Sequence, residues 1–124
     1  MATKRVLNVG QCGADHPAIT RMIRARFDAD VVPADSAEEA VTELRKGKYD
    51  LVLANRVFDL GGSGLEFIKQ LKADDRLKAV PVMLVSNYAD AQQEATALGA
   101  LPGFGKSGLD DPAAHDRLAK VLGD

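Results

Sequence analysis

The sequence predicts a doubly wound α/β fold, and three observations carry that reading. Short β-rich apolar runs alternate with segments of helical period five times along the chain. Each helical segment carries an apolar stripe that needs a sheet to cover, and strands separated by helices imply right-handed crossovers, a parallel sheet and helices on both faces. At 124 residues and 46% hydrophobic, the chain is long enough for one core and short for two, so 1–124 reads as a single domain.

In chain order, Met1–Arg5 leads into a first strand at Val6–Val9 without a signal-peptide pattern. Pro17–Phe27 is the first helix, with Pro17 in its first turn and Ile19, Met22, Ile23 and Phe27 along one face. Val31 and Val32 mark the second strand. Ala37–Lys46 is the second helix, opened by Ser36 and Glu39 at capping-box spacing and stopped at Gly47. Leu51–Ala54 forms the third strand, and Leu65–Lys72 the third helix, with Phe67, Ile68 and Leu71 turned inward. Val80–Ser86 and Ala89–Leu98 make the fourth unit, ending at Gly99. Leu101–Phe104 has the least sheet character, because Pro102, Gly103 and Gly105 suit only an edge strand. Pro112–Leu122 is the last helix, with Asp110 and Asp111 matching its N-terminal dipole. Asn8 is an amide in a strand that should be continuously apolar, so it needs a hydrogen-bond partner.

Net charge is −2, with both signs spread along the chain, so no basic stripe exists for direct nucleic-acid binding. The longest apolar runs are strand-sized, which argues against a membrane span and for a soluble, cytoplasmic protein. The single cysteine, Cys12, permits neither an internal disulfide nor a multi-cysteine zinc site. His16 and His115 lack neighbours at metal-ligand spacing, so the expectation is no metal and no cofactor.

Asp50-Leu51-Val52-Leu53-Ala54-Asn55, with its glycine-containing loop to Gly64 and then Leu65-Glu66, resembles the third strand and loop of response-regulator receiver domains. Val80-Pro81-Val82-Met83-Leu84-Val85-Ser86-Asn87 resembles their fourth strand with its terminal Ser/Thr, and Leu98-Gly99-Ala100 leads to Phe104-Gly105-Lys106 at the family's spacing to its lysine. The resemblance covers nearly the whole chain and implies a flavodoxin-like sheet of order 2-1-3-4-5, with the ligand crevice at the carboxyl ends of the strands. It places Gly10, Gln11, Asn55, Ser86 and Lys106 at the phosphorylation site.

Receivers carry an acidic pair after the first strand, an aspartate ending the third, a Ser/Thr after the fourth and a lysine after the fifth. Here only Ser86 and Lys106 match. Gly10 and Gln11 stand where the pair would hold Mg²⁺, and Asn55 stands at the phosphoacceptor position. An amide offers no anionic oxygen to attack phosphorus, and neutral carbonyls are poor ligands for a hard cation, so the resemblance implies a degenerate site and no enzyme activity. With three carboxylates gone and Lys106 kept, these positions move to a net charge of about +1. The expected function is therefore phosphorylation-independent docking of a protein partner, through the fourth helix, fifth strand and fifth helix. One alternative is a small-anion or metabolite sensor holding its ligand on Lys106, Ser86 and Gln11. The other is a phosphorelay receiver using Asp59, which lies four residues beyond the strand end. The family's output elements also depart: Gly103 replaces an aromatic three residues before the lysine, and Ser107 replaces a proline after it. Phe104 should face the core.

Overall fold

The computed structural model describes residues 3–58 and 61–123. Five strands alternate with five helices: β1 Lys4–Val9, α1 Asp15–Arg26, β2 Ala29–Ala34, α2 Ala37–Lys46, β3 Leu51–Asn55, α3 Gly64–Ala73, β4 Val82–Val85, α4 Ala89–Ala97, β5 Leu101–Phe104 and α5 Pro112–Leu122. All pairings are parallel, in the order β2-β1-β3-β4-β5. This is the flavodoxin-like arrangement the sequence implied. No helix among the described residues is long and apolar enough to cross a membrane.

Strand alternation sorts the core into two layers. Leu7, Val9, Val52, Ala54 and Leu84 face α2, α3 and α4, where Phe67, Ile68 and Leu71 meet them. Val6, Leu51, Leu53, Met83, Val85 and Phe104 face α1 and α5, packing on Ile19, Ile23 and Leu118. Phe104 is thus a core residue, as alternation required. Asn8 lies on the same layer as Val6, and its Nδ2 lies 3.0 Å from His16 Nδ1. The amide nitrogen in the central strand has found its partner in α1, while Oδ1 has none among the described residues.

The helix starts follow local chemistry. Ser36 Oγ accepts from Glu39 N at 3.1 Å, while the Glu39 carboxylate turns to Asp35 N instead of closing the box on Ser36. Asp111 caps α5 by accepting from Ala113 N, with Pro112 in the first turn. β5 is an edge strand, and its register with β4 shifts between Met83 and Val85. β4 begins only after Pro81, which has no N–H to give the ladder. Helix α1 starts at Asp15, two residues ahead of the proline expected to open it. That early start has a consequence at the site.

Candidate functional site

The carboxyl ends of β3 and β4 and the turn after β5 enclose a crevice of about 200 Å³. Asn55, Ser86 and Lys106 line it, together with Arg56, Val57, Val85, Asn87 and Tyr88. Three of the five expected site residues are therefore brought together. A larger concavity, about 690 Å³, lies at the other end of the sheet around Tyr49, Asp50 and Leu101, where the Asp50 carboxylate already accepts from Arg5 N.

Asn55 ends β3 with its side chain buried. Its Nδ2 donates to Gly10 O at 3.1 Å and to Val57 O at 2.7 Å. Both acceptors are carbonyl oxygens, so only an NH₂ can occupy this spot and the amide's orientation follows from its partners. The side chain ties the end of β1 to the loop after β3.

Gly10 turns with φ +75°, a conformation side chains adopt at a cost, and a Cβ there would collide with the Phe58 ring. Phe58 is buried and meets Phe67 edge-on, ring centroids 6.0 Å apart. Gln11 is also buried, but neither of its amide atoms has a partner among the described residues, and it does not line the crevice. The anion-binding set expected from sequence is thus divided: Lys106 and Ser86 share the crevice, and Gln11 lies outside it.

Lys106 opens a short 3₁₀ turn, Lys106–Gly108, after β5. Its ammonium donates to Asp15 Oδ2 at 2.6 Å, and the same oxygen accepts from the Cys12 thiol at 3.1 Å. The Lys106 hydrogen bond, and after it that of Cys12, hold the Asp15 carboxyl below its ordinary value despite partial burial. The net charge of about +1 expected from Lys106 is offset here by Asp15. Because α1 begins at Asp15, a first-turn carboxylate faces the lysine from across the sheet end. The pair cancels, and the remaining positive charge in the lining comes from Arg56, which the sequence reading passed over. Its signal was available, since Arg56 directly follows the strand-ending Asn55. Asp15 and Lys106 are 91 residues apart, and no local pattern connects them. Asp59 lies outside the described residues.

On the β4–β5 side, Ser86 Oγ accepts from Tyr88 N at 3.1 Å. Asn87 Oδ1 accepts from both the backbone N and the hydroxyl of Ser107, the latter at 2.9 Å. Gln92 in α4 donates to Leu84 O and Ser86 O and accepts from Gly103 N, while Arg117 in α5 donates to Gly103 O at 2.6 Å. A Cβ on Gly103 would strike the backbone oxygen of Leu84. An aromatic side chain at this position would have no room.

Residues 14–104 match the response regulator receiver domain family. The chain belongs to that family. Among solved receivers and related proteins, a sensor protein from Polaromonas sp. JS666 superposes with a TM-score of 0.83 at 16% identity, covering 98% of this chain and 97% of that one. The signal receiver domain of a DNA-binding response regulator from Colwellia psychrerythraea 34H gives 0.81 at 19% identity, covering 98% and 99%. A response regulator from Thermotoga maritima gives 0.79 at 23% identity, covering 99% and 100%. These similarities establish a shared fold over the full receiver length. No curated protein matches the chain. The crevice of this receiver lies at the carboxyl ends of β3 and β4.

Proposed function

We propose that this receiver is a degenerate one: a non-catalytic, phosphorylation-independent docking module of two-component-type signalling, set in the cytoplasm and engaging a protein partner through α4, β5 and α5. The observation that carries the reading is Asn55, whose amide hydrogens are both committed to backbone carbonyls. A phosphoacceptor needs an anionic oxygen free to attack, and here the corresponding group is a donor turned into the fold.

The rest of the crevice supports the same reading. A hard divalent ion wants several oxygen ligands, commonly carboxylates. Next to Gly10 the space for a side chain holds the Phe58 ring, and Asp15 is engaged by Lys106 and Cys12. Among the described residues, no group of three His, Cys, Asp or Glu is placed to hold a metal ion. The described residues of the crevice offer no carboxylate set of the kind magnesium prefers. On the output side, Gln92 and Arg117 knit α4, β5 and α5 together through polar bonds that need no phosphoryl signal.

Incubation with acetyl phosphate and Mg²⁺ followed by intact-mass measurement tests the proposal. The expected spectrum shows the unmodified chain; an adduct of about 80 daltons would overturn it and point to a substitute acceptor such as Asp59. The anion-sensor reading draws on Arg56 and Lys106 in one lining. A thermal shift with inorganic phosphate that rises with concentration would favour it.

A further inference from the structure

We propose that the strand-end crevice receives a carboxylate side chain from a partner protein, with apolar residues beside that acid resting on Val57 and Tyr88. This rests on the docking reading above and names where part of the partner would sit.

The lining is rich in donors. Lys106 gives one ammonium hydrogen to Asp15 and keeps two. Ser86 Oγ accepts from Tyr88 N, and its own hydroxyl hydrogen enters no bond among the described residues. Arg56 adds a guanidinium, and no carboxylate belongs to the lining among the described residues. Such a set complements an anionic oxygen pair, because hydrogen bonds from charged donors to a carboxylate are the strong ones.

The rim then selects among anions. Val57 is 55% exposed and Tyr88 59%, and both lie on this crevice; Leu101, the remaining large apolar side chain exposed among the described residues, is at the opposite end of the sheet. A free anion would use the donors and leave both rim residues in water. An acidic residue flanked by aliphatic ones covers both. At about 200 Å³ the crevice admits one side chain and leaves the partner's backbone at the mouth.

The rim is also held in place before anything binds. The Arg56 guanidinium lies over the Tyr88 ring, 4.9 Å from its centroid, Ser86 fixes Tyr88 N, and Ser107 fixes Asn87. Groups already ordered lose less entropy on association. Tyr88 directly precedes α4, so an acid seated here continues onto the α4–β5–α5 face.

Selection of displayed random peptides on the intact chain tests this, with Arg56→Ala, Arg56→Lys and Tyr88→Ala run in parallel after each is shown to keep the wild-type melting temperature within a few degrees. The expected peptides carry Asp or Glu next to an aliphatic residue. Binding of the best one weakens about tenfold or more with Arg56→Ala, less with Arg56→Lys, and also with Tyr88→Ala. No enrichment, enrichment without acids, or affinity indifferent to Arg56 and Tyr88 would each overturn the inference. Inorganic phosphate that moves the Ser86 and Lys106 amide NMR signals while the selected peptide leaves them still would overturn it in favour of a free-anion site. A mass adduct from acetyl phosphate removes the non-catalytic reading alone, whereas a selection blind to Arg56 and Tyr88 removes the docking inference alone.

Discussion

The two sides of the crevice use their polar side chains in different ways. On the β1–β3 side the side chains are absorbed into the fold: Asn55 bonds two carbonyls and Phe58 covers Gly10. On the β4–β5 side Ser86 and Lys106 line the crevice and bond Tyr88 N and the Asp15 carboxylate. The first arrangement makes the fold depend on these residues. The second leaves polar groups at the solvent boundary, able to bind something else. A matching residue type at a family position is therefore weak grounds for a matching role, because its partners decide what it does.

Perturbing each side in turn should expose this difference, and the largest effect belongs to Gly10. Gly10→Ala combines a clash with Phe58 and a left-handed backbone, and should cost about 3 kcal/mol in urea unfolding. Phe58→Ala in the same chain should recover part of that loss, giving a double-mutant cycle far from additive. Asn55→Asp replaces two donated hydrogen bonds with an anion facing two carbonyls, for about 2–3 kcal/mol at neutral pH. Costs of that size on the β1–β3 side, with smaller ones opposite, would sharpen the comparison.

On the other side, Gln92→Ala leaves Leu84 O, Ser86 O and Gly103 N short of a partner and should cost about 1–2 kcal/mol, read in the same unfolding experiment. Asp15→Asn should cost less than about 1 kcal/mol, since both partners of the ion pair are near 30% exposed. Its sign with pH is fixed. The Asp15 carboxyl is held below its ordinary value in the fold, so its stabilisation is present above that value and fades as pH falls through the lowered one. Wild type and Asp15→Asn should thus differ at neutral pH and converge in strong acid. An Asp15→Asn cost exceeding that of Asn55→Asp would break the comparison.

Much of this architecture was legible in the sequence because its signals are local. Helical period, strand-length apolar runs and glycine stops located all five βα units, and Ala37–Lys46, Leu101–Phe104 and Pro112–Leu122 match residue for residue. Strand order came from the family resemblance rather than from periodicity. Asn55, Ser86 and Lys106 were placed together by the family resemblance, and each lies at or just past the carboxyl end of its strand. What stayed hidden is pairing between distant side chains. Nothing near Asp15 announces Lys106, nothing near Gly10 announces Phe58, and the glutamine at 92 looks like any polar residue on a helix until Gly103 N reaches it. Gln11 was placed at the site by the same resemblance; it is buried and does not line the crevice.

The central claim is that the crevice as a whole, and not Asn55 alone, has left phosphoryl-transfer chemistry. Intact-mass measurement of Asn55→Asp after acetyl phosphate and Mg²⁺ tests it most directly, since that variant restores the acceptor while Gly10, Phe58 and the Lys106–Asp15 pair stay as they are. The account predicts that the variant keeps its unmodified mass. Efficient conversion to an adduct of about 80 daltons would show that a single residue separates this crevice from an active one, and would contradict it.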